Sequence, residues 1–171
     1  MSIEKLKANH NVTTRWLHFP LHADTPPEGL LMEDLYKSRN KEDMKAAGDR
    51  IRSMMAEAGL AYNKRTRMDN SRLAQELGCW ADTQENGEAF HDAMFVAYFV
   101  DDRNISDVET LLDIAGSVGL NQEKARAVLK ERSFSDQVSQ DWEQARYDGI
   151  TGVPTFTARD LFVVGCQPYE V

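Results

Sequence analysis

The hydrophobic periodicity of this chain changes twice, and that change constrains the fold more than any other feature. Across residues 30–147 apolar side chains recur at three- and four-residue spacing, which predicts a series of α-helices. Residues 12–19 (VTTRWLHF) before this block, and VPTFT and LFVVG after Gly152, are rich in β-branched and aromatic residues and predict strands. Because short strands need partners, strands on both sides of a helical block predict one α/β sheet interrupted by a helical insertion.

Several of the helices carry start and stop signals. Ser106 and Glu109 match a capping box at the start of one helix, and Gly119 is placed to cap its end. Gly59 follows another apolar stripe and predicts the end of that helix. The stripe consists of Met44, Ala47, Ile51, Met54, Met55 and Ala58. Residues 87–100 (GEAFHDAMFVAYFV) are apolar on nearly all sides, which predicts a helix at the centre of the cluster.

Composition excludes several classes of partner. With 171 residues, 42% of them hydrophobic, the chain can bury a core. Its net charge of -8 and isoelectric point near 5.0 argue against a nucleic-acid partner, which needs clustered cations. No apolar run approaches the ~20 residues that cross a bilayer, and the start lacks the apolar segment of a secretory signal. We therefore expect a cytoplasmic protein without a membrane partner.

The two cysteines, Cys79 and Cys166, are too few for a disulfide scaffold or a four-ligand zinc site. Cys79 lies beside Trp80 in a predicted amphipathic helix, so we expect a buried thiol. Cys166 follows the last predicted strand, and we expect an inert small residue there, because free cysteines are commonly buried. A disulfide between them is not expected in a cytoplasmic chain.

The histidines do not predict a metal site. His18 and His22 are four residues apart, but Pro20 lies between them and excludes helical ligation at i and i+4. A loop site stays open, although a strand end followed by a turn explains FPLHADTP better. His91 lies on a helix rich in Phe and Met, where a satisfied surface or boundary histidine is the preferred interpretation.

The acidic pairs do not predict acid–base catalysis, which needs two carboxylates converging in a cleft. Neighbouring side chains point apart, so we expect solvated helix ends; the pairs are Asp101 with Asp102 and Glu33 with Asp34. An aromatic run could line an apolar pocket, but its spacing favours core packing. The run consists of Phe90, Phe95, Tyr98 and Phe99.

Three collinear segments resemble one known family. FPLHADTPPEGL, HDAMFVAYFVDDRNISDVETLLDIAGSVGL and GITGVPTFTARDLFVVGCQPYEV match, in this order and spacing, the DsbA-like thioredoxin family. Within that family the chain is most similar to the bacterial branch called FrnE or 2-hydroxychromene-2-carboxylate isomerase-like. The resemblance implies an α/β, thioredoxin-like fold with an inserted all-helical domain. Residues 1–29 and 141–171 would form the thioredoxin-like part and residues 30–140 the insertion.

The resemblance also implies a thiol–disulfide oxidoreductase that acts on a thiol or disulfide substrate without a cofactor. In the family a Cys-x-x-Cys pair starts the first helix, where the helix dipole lowers the pKa of the attacking thiol. A proline that is normally cis faces the two sulfurs. Val153 and Pro154 match this element, so the resemblance implies that these two residues contact substrate.

The chain departs from the family pattern because no Cys-x-x-Cys occurs in its 171 residues. The family pattern places that pair, with the first strand, before residue 1, and a further helix after residue 171. We therefore expect a thioredoxin-like part that is incomplete at both ends and a redox-silent fragment. Two alternatives stay open: a glutathione-dependent isomerase or kappa-class transferase-like enzyme, and a non-catalytic binding or assembly module that forms a homodimer through an exposed sheet edge.

Overall fold

The computed structural model of the chain describes residues 2–159, 161–167 and 169. The described part contains eight helices and four short strands. The helices are α1 (Ser2–Asn9), α2 (Met32–Leu35), α3 (Lys41–Glu57), α4 (Arg72–Ala81), α5 (Gly87–Phe99), α6 (Val108–Ser117), α7 (Gln122–Glu131) and α8 (Ser135–Tyr147). The strands are β1 (Leu30–Leu31), β2 (Arg67–Met68), β3 (Thr155–Ala158) and β4 (Leu161–Val164). The helical block and the two strands after it, predicted from periodicity, are confirmed.

The chain divides into two compact units. One comprises residues 22–138, and the other comprises residues 1–21 together with 139–171. The first unit holds β1, β2 and the helices α2–α7. The second holds α1 and the antiparallel β3–β4 hairpin, and α8 begins in the first unit and continues into the second.

The core of the 22–138 unit is helical. Helix α4 packs against α5 and α7, and α6 packs against α5 and α7. Their facing sides bury Leu77, Phe90, Leu111, Ile114 and Leu129. Burial of each side chain of this size stabilises the folded state by about 1.5–3 kcal/mol relative to leaving it exposed. This cluster is therefore the main source of stability in the unit.

Helix α6 begins one residue later than the capping-box pattern implies. The N-cap is Asp107, whose carboxylate accepts a hydrogen bond from the backbone N–H of Thr110 at 2.8 Å. Ser106 instead donates its backbone N–H and its hydroxyl to Asn104 Oδ1. Aspartate is as favourable an N-cap residue as serine, and it adds a negative charge at the positive end of the helix dipole. Asp107 is therefore the N-cap of α6. The predicted cap Gly119 follows the helix with φ of 80°.

A buried ion triad joins α4 to α7. Glu76 is fully buried and accepts three hydrogen bonds, from Arg72 Nε at 2.8 Å and from Arg132 Nε and Nη2 at 2.6 Å each. Arg72 also donates to the backbone carbonyl of Ser135 at 2.6 Å. Burial by itself would raise the pKa of Glu76, but the hydrogen bonds and charges of Arg132 and Arg72 outweigh it and hold the pKa below its ordinary value of 4.5. The charge is therefore kept inside the protein because it is fully paired.

The strand predicted over residues 12–19 is wrong. The structure places residues 11–20 in neither helix nor strand. Strand pairing needs a hydrogen-bonded neighbour, and within the described residues the ladders pair β1 with β2 and β3 with β4 only. The β-propensity of VTTRWLHF describes a fit to a pleated surface, and no such surface lies beside this segment in the described part of the chain.

None of the helices in the described part of the chain combines the length and the apolar character that a bilayer span requires.

Candidate functional site around Pro154

The β3–β4 hairpin positions Val153 and Pro154 at its open end. The strands are antiparallel, with Thr155 opposite Val164 and Ala158 opposite Leu161. Pairing extends one residue further, because the backbone N–H of Gly165 donates to the carbonyl of Pro154 at 2.8 Å. The peptide bond between Val153 and Pro154 is cis, as the resemblance implies.

The residue before the proline presents an open backbone. Val153 is 52% exposed, and none of the described residues hydrogen-bonds to its N–H or carbonyl. The preceding turn is held by the Thr155 hydroxyl, which donates to the carbonyl of Gly152 at 2.7 Å. An exposed, unpaired backbone beside a strand end can add an extended peptide through main-chain hydrogen bonds.

The two cysteines have different environments. Cys79 is buried in α4, as predicted. Cys166 is exposed, so burial, the reason for expecting an inert residue there, is wrong, and its inertness stays a prediction. It directly follows Gly165, beyond the last hydrogen bond of the hairpin, where the chain bends away and nothing in the ladder covers the side chain.

His18 is held by a carboxylate in the unit that also contains the hairpin. Its Nδ1 lies 3.1 Å from Asp141 Oδ2, and its backbone N–H donates to the same oxygen at 3.2 Å. Asp141 is buried on α8, and the Arg15 guanidinium lies 3.7 Å from its other oxygen. The buried carboxylate of Asp141 therefore connects residues 15–18 to α8. Among the described residues, no strand pairing connects this segment to another element.

His91, on α5, lies at the boundary between core and surface, as predicted. His91 Nε2 lies 2.7 Å from Asp82 Oδ1, between the start of α5 and the end of α4. Its side chain is mostly buried and satisfied by this contact.

The acidic pairs do not converge. Glu33 and Asp34 are exposed in the first turn of α2, as predicted. Asp101 is exposed, but Asp102 accepts from the Thr66 backbone N–H at 3.0 Å and from its hydroxyl at 2.6 Å. Asp102 therefore holds the segment before β2 to the end of α5 and is not a purely solvated residue.

The aromatic run divides between the core and the surface. Phe90 is buried, which confirms core packing there. Phe95 is 50% exposed and stacks on Phe99 at 6.2 Å, so core packing is wrong for Phe95. The Arg65 guanidinium lies 4.4 Å from the centre of the Tyr98 ring, and burial raises the pKa of the Tyr98 hydroxyl. Helices α4 and α6 cover one side of α5, the side that carries Phe90. The side that carries Phe95 is therefore partly exposed.

Glu76 has a role that was not predicted from the sequence. The available signal was the i, i+4 spacing of Arg72 and Glu76 in α4, which is typical of an exposed helix pair. Arg132 joins them from the end of α7 across 56 residues of sequence, and local spacing carries no information about that contact.

Comparison with known proteins identifies the family of the chain. The DSBA-like thioredoxin domain model matches residues 1–171. A probable DsbA oxidoreductase from Streptomyces coelicolor is similar in structure, with a TM-score of 0.89 and 29% sequence identity over 99% of this chain and 77% of that chain.

Among curated proteins, the uncharacterized protein YwbO of Bacillus subtilis is 31% identical over 100 residues, which is 58% of this chain and 50% of the relative. The aligned chain thus spans about half the length of that relative. Because the family model matches every residue from 1 to 171, the chain belongs to the DsbA-like thioredoxin-domain family.

Proposed function

We propose that this chain supplies the substrate-side surface of a thiol–disulfide oxidoreductase, with Val153 and Pro154 contacting the thiol or disulfide substrate. The observation that carries the proposal is the open backbone of Val153 at the end of the β3–β4 hairpin. An extended peptide that pairs there would hold a cysteine beside Pro154, and membership of the DsbA-like family supplies the chemical context.

The exchange reaction needs two thiols on the enzyme. A thiolate attacks one sulfur of the substrate disulfide, an S–S bond forms between enzyme and substrate, and the other substrate sulfur leaves as a thiolate. A second enzyme thiolate then attacks the enzyme sulfur of this mixed disulfide. An S–S bond forms between the two enzyme sulfurs, and the remaining substrate sulfur leaves as a thiolate, which releases the reduced substrate. Cys79 is buried and Cys166 is exposed. We infer that these 171 residues turn over no disulfide by themselves and that the dithiol comes from residues outside them.

The redox part of the proposal is tested by insulin reduction with dithiothreitol. We expect the 171-residue chain to leave the rate at that of dithiothreitol alone. The matched control is the Cys166→Ser variant, which removes the exposed thiol. A rate above background that disappears in this variant would show that Cys166 is a working nucleophile and would contradict the proposal.

The binding part is tested by NMR titration of the ¹⁵N-labelled chain with a flexible cysteine-containing peptide. We expect the amide signals of Val153, Thr155 and Gly165 to shift, because these residues surround the open backbone. The same peptide with serine in place of cysteine separates backbone pairing from thiol recognition. Shifts with glutathione but not with the peptide would favour the glutathione-dependent alternative, and no shifts at about millimolar peptide would contradict the assignment.

A further inference from the structure

Helix α3 presents an apolar stripe that the rest of the described chain covers only in part. None of its 17 residues is buried, and Ile51 and Met54 are 45% and 51% exposed. The stripe follows a heptad pattern, with a positions at Met44, Ile51 and Ala58 and d positions at Ala47 and Met54. A helix of this kind gains stability mainly when its apolar face is covered.

We propose that this face pairs with α3 of a second copy of the chain, in antiparallel orientation, to form a weak homodimer. This surface is distinct from the hairpin, and the inference does not depend on the proposed function.

The charges beside the stripe select the partner and its direction. The g positions of the heptads are Asp43, Arg50 and Glu57, and the e positions within the stripe are Gly48 and Met55. In a parallel pair g faces e, so Arg50 would face an uncharged Met55. In an antiparallel pair the g positions of one helix face the g positions of the other. Arg50 of one copy can then face an acidic g residue, Asp43 or Glu57, of the second copy. Charge complementarity therefore favours the antiparallel arrangement.

The same charges select the register. In the register with complete overlap, Arg50 lies beside Arg50 of the second copy and Asp43 beside Glu57, so like charges meet. A shift to the next a–d layer places Arg50 beside Glu57 of the second copy, and the two-fold axis repeats this pair. Arg50 and Glu57 are both exposed, and neither makes an ion pair with any described residue. They are therefore available to each other across an interface.

The apolar contacts of the shifted register are complementary in size. Ile51 lies beside Met54 of the second copy, and Met55 lies beside Gly48. A Cβ built at Gly48 would have no described atom within 4 Å, so there is room for a partner side chain at this point. Glycine inside a helix lowers helix stability, and a close approach of another chain is one reason to keep it.

The overlap covers residues 48–57 of each helix, about 15 Å. An interface of one short helix pair lies below the size of stable dimers, so we expect a dissociation constant on the order of 10–100 µM.

Sedimentation equilibrium of the 171-residue chain at about 50 mM salt measures the constant, since exposed charges are weakly screened there. The Ile51→Glu and Met54→Glu variants each place a charge in the apolar seam, and we expect each to weaken dimerisation by at least about tenfold. Circular dichroism and thermal melting check that both variants keep the helical fold, which we expect because both side chains are half exposed.

Charge reversal tests the orientation. Arg50→Glu alone and Glu57→Arg alone each replace two attractive pairs with two repulsive ones, and we expect each to weaken dimerisation by about tenfold. In an equimolar mixture of the two variants, a chain with glutamate at both positions meets a chain with arginine at both, so the mixed dimer regains both attractive pairs. The double variant R50E/E57R regains them within its own homodimer.

Dimerisation of the wild-type chain, its loss in both seam variants, and its recovery in the mixture and the double variant would support the proposal. A monomer at about 1 mM would overturn it, because that concentration lies far above the expected dissociation constant. A dimer that both seam variants leave intact would overturn it as well, because another surface would then be responsible. A dimer sensitive to the seam variants but not to charge reversal would overturn the antiparallel register.

Discussion

Replacing Glu76 by glutamine tests whether the buried ion triad stabilises the 22–138 unit. The substitution keeps the shape of the side chain and removes its charge. One oxygen that accepts from an arginine becomes an NH₂ group, which donates. The amide therefore cannot satisfy the fork of Arg132 and the Nε of Arg72 together.

The expected loss follows from the burial of the three partners. Breaking a buried ion pair by removing one partner costs about 3–5 kcal/mol. Arg132 is 47% exposed and can be rehydrated, and Arg72 keeps its hydrogen bond to the Ser135 carbonyl. We therefore expect Glu76→Gln to lower the free energy of unfolding by about 3 kcal/mol, the lower end of this range. For a chain of 171 residues this corresponds to a drop in melting temperature of roughly 6–12 °C.

The difference between wild type and the Glu76→Gln variant depends on pH with a definite sign. The pKa of Glu76 in the folded protein lies below its ordinary value of 4.5. A lowered folded-state pKa adds stability that is present above the unfolded pKa and is lost as the pH falls through the folded one. The difference should therefore be constant from about pH 6 to pH 8 and should shrink below about pH 4.5.

Urea unfolding followed by circular dichroism at several pH values measures both effects. The matched control is Glu109→Gln, which removes a carboxylate that also accepts two hydrogen bonds from one arginine, Arg126, but lies on the surface. We expect no resolvable change at pH 7 for the control, because solvent replaces the lost contacts. Equal effects of the two substitutions at pH 7 would refute the reasoning from burial.

Three further predictions concern packing, backbone conformation and thiol access. Phe90→Ala should destabilise the protein by about 3–5 kcal/mol in urea unfolding, whereas Phe95→Ala at the half-exposed position should cost far less. Gly29→Ala should destabilise by about 1–3 kcal/mol, measured by thermal melting, because φ is 73° and a Cβ would lie 2.9 Å from a backbone carbonyl oxygen. Titration with Ellman's reagent should detect one thiol in the native protein, Cys166, and a second, Cys79, only after addition of denaturant.

The helices could be predicted because their signals are local. The stripe from Met44 to Ala58 and the stop at Gly59 agree with α3, and the apolar spacing around Leu111 agrees with α6. The cap of α6 was displaced by one residue, since Ser106 and Asp107 both satisfy the composition rule and only backbone geometry distinguishes them. Boundaries of this kind depend on single hydrogen bonds that the residue types do not specify.

The residues of the candidate site could be located by resemblance, but their surroundings could not. Val153 and Pro154 were identified from the GVPT stretch, whereas the exposure of Val153 and of Cys166 follows from where the hairpin ladder ends. The role of Glu76 could not be read from its position in α4, because Arg132 reaches it from the end of another helix.

The sequence by itself determined the helical block, the strands that follow it, and the family, because these depend on residue spacing along the chain. Only the tertiary structure decided which apolar faces are covered. Phe90 and Phe95 lie on the same helix, and one is buried while the other is half exposed. The stripe of α3 has the pattern of a buried face and is not buried. Residues 12–19 have strand-forming composition and no strand to pair with among the described residues. In each case burial or strand pairing depends on which part of the chain lies beside the residue in space. A residue buries apolar area, or pairs its backbone groups, only where a neighbouring element offers a matching surface.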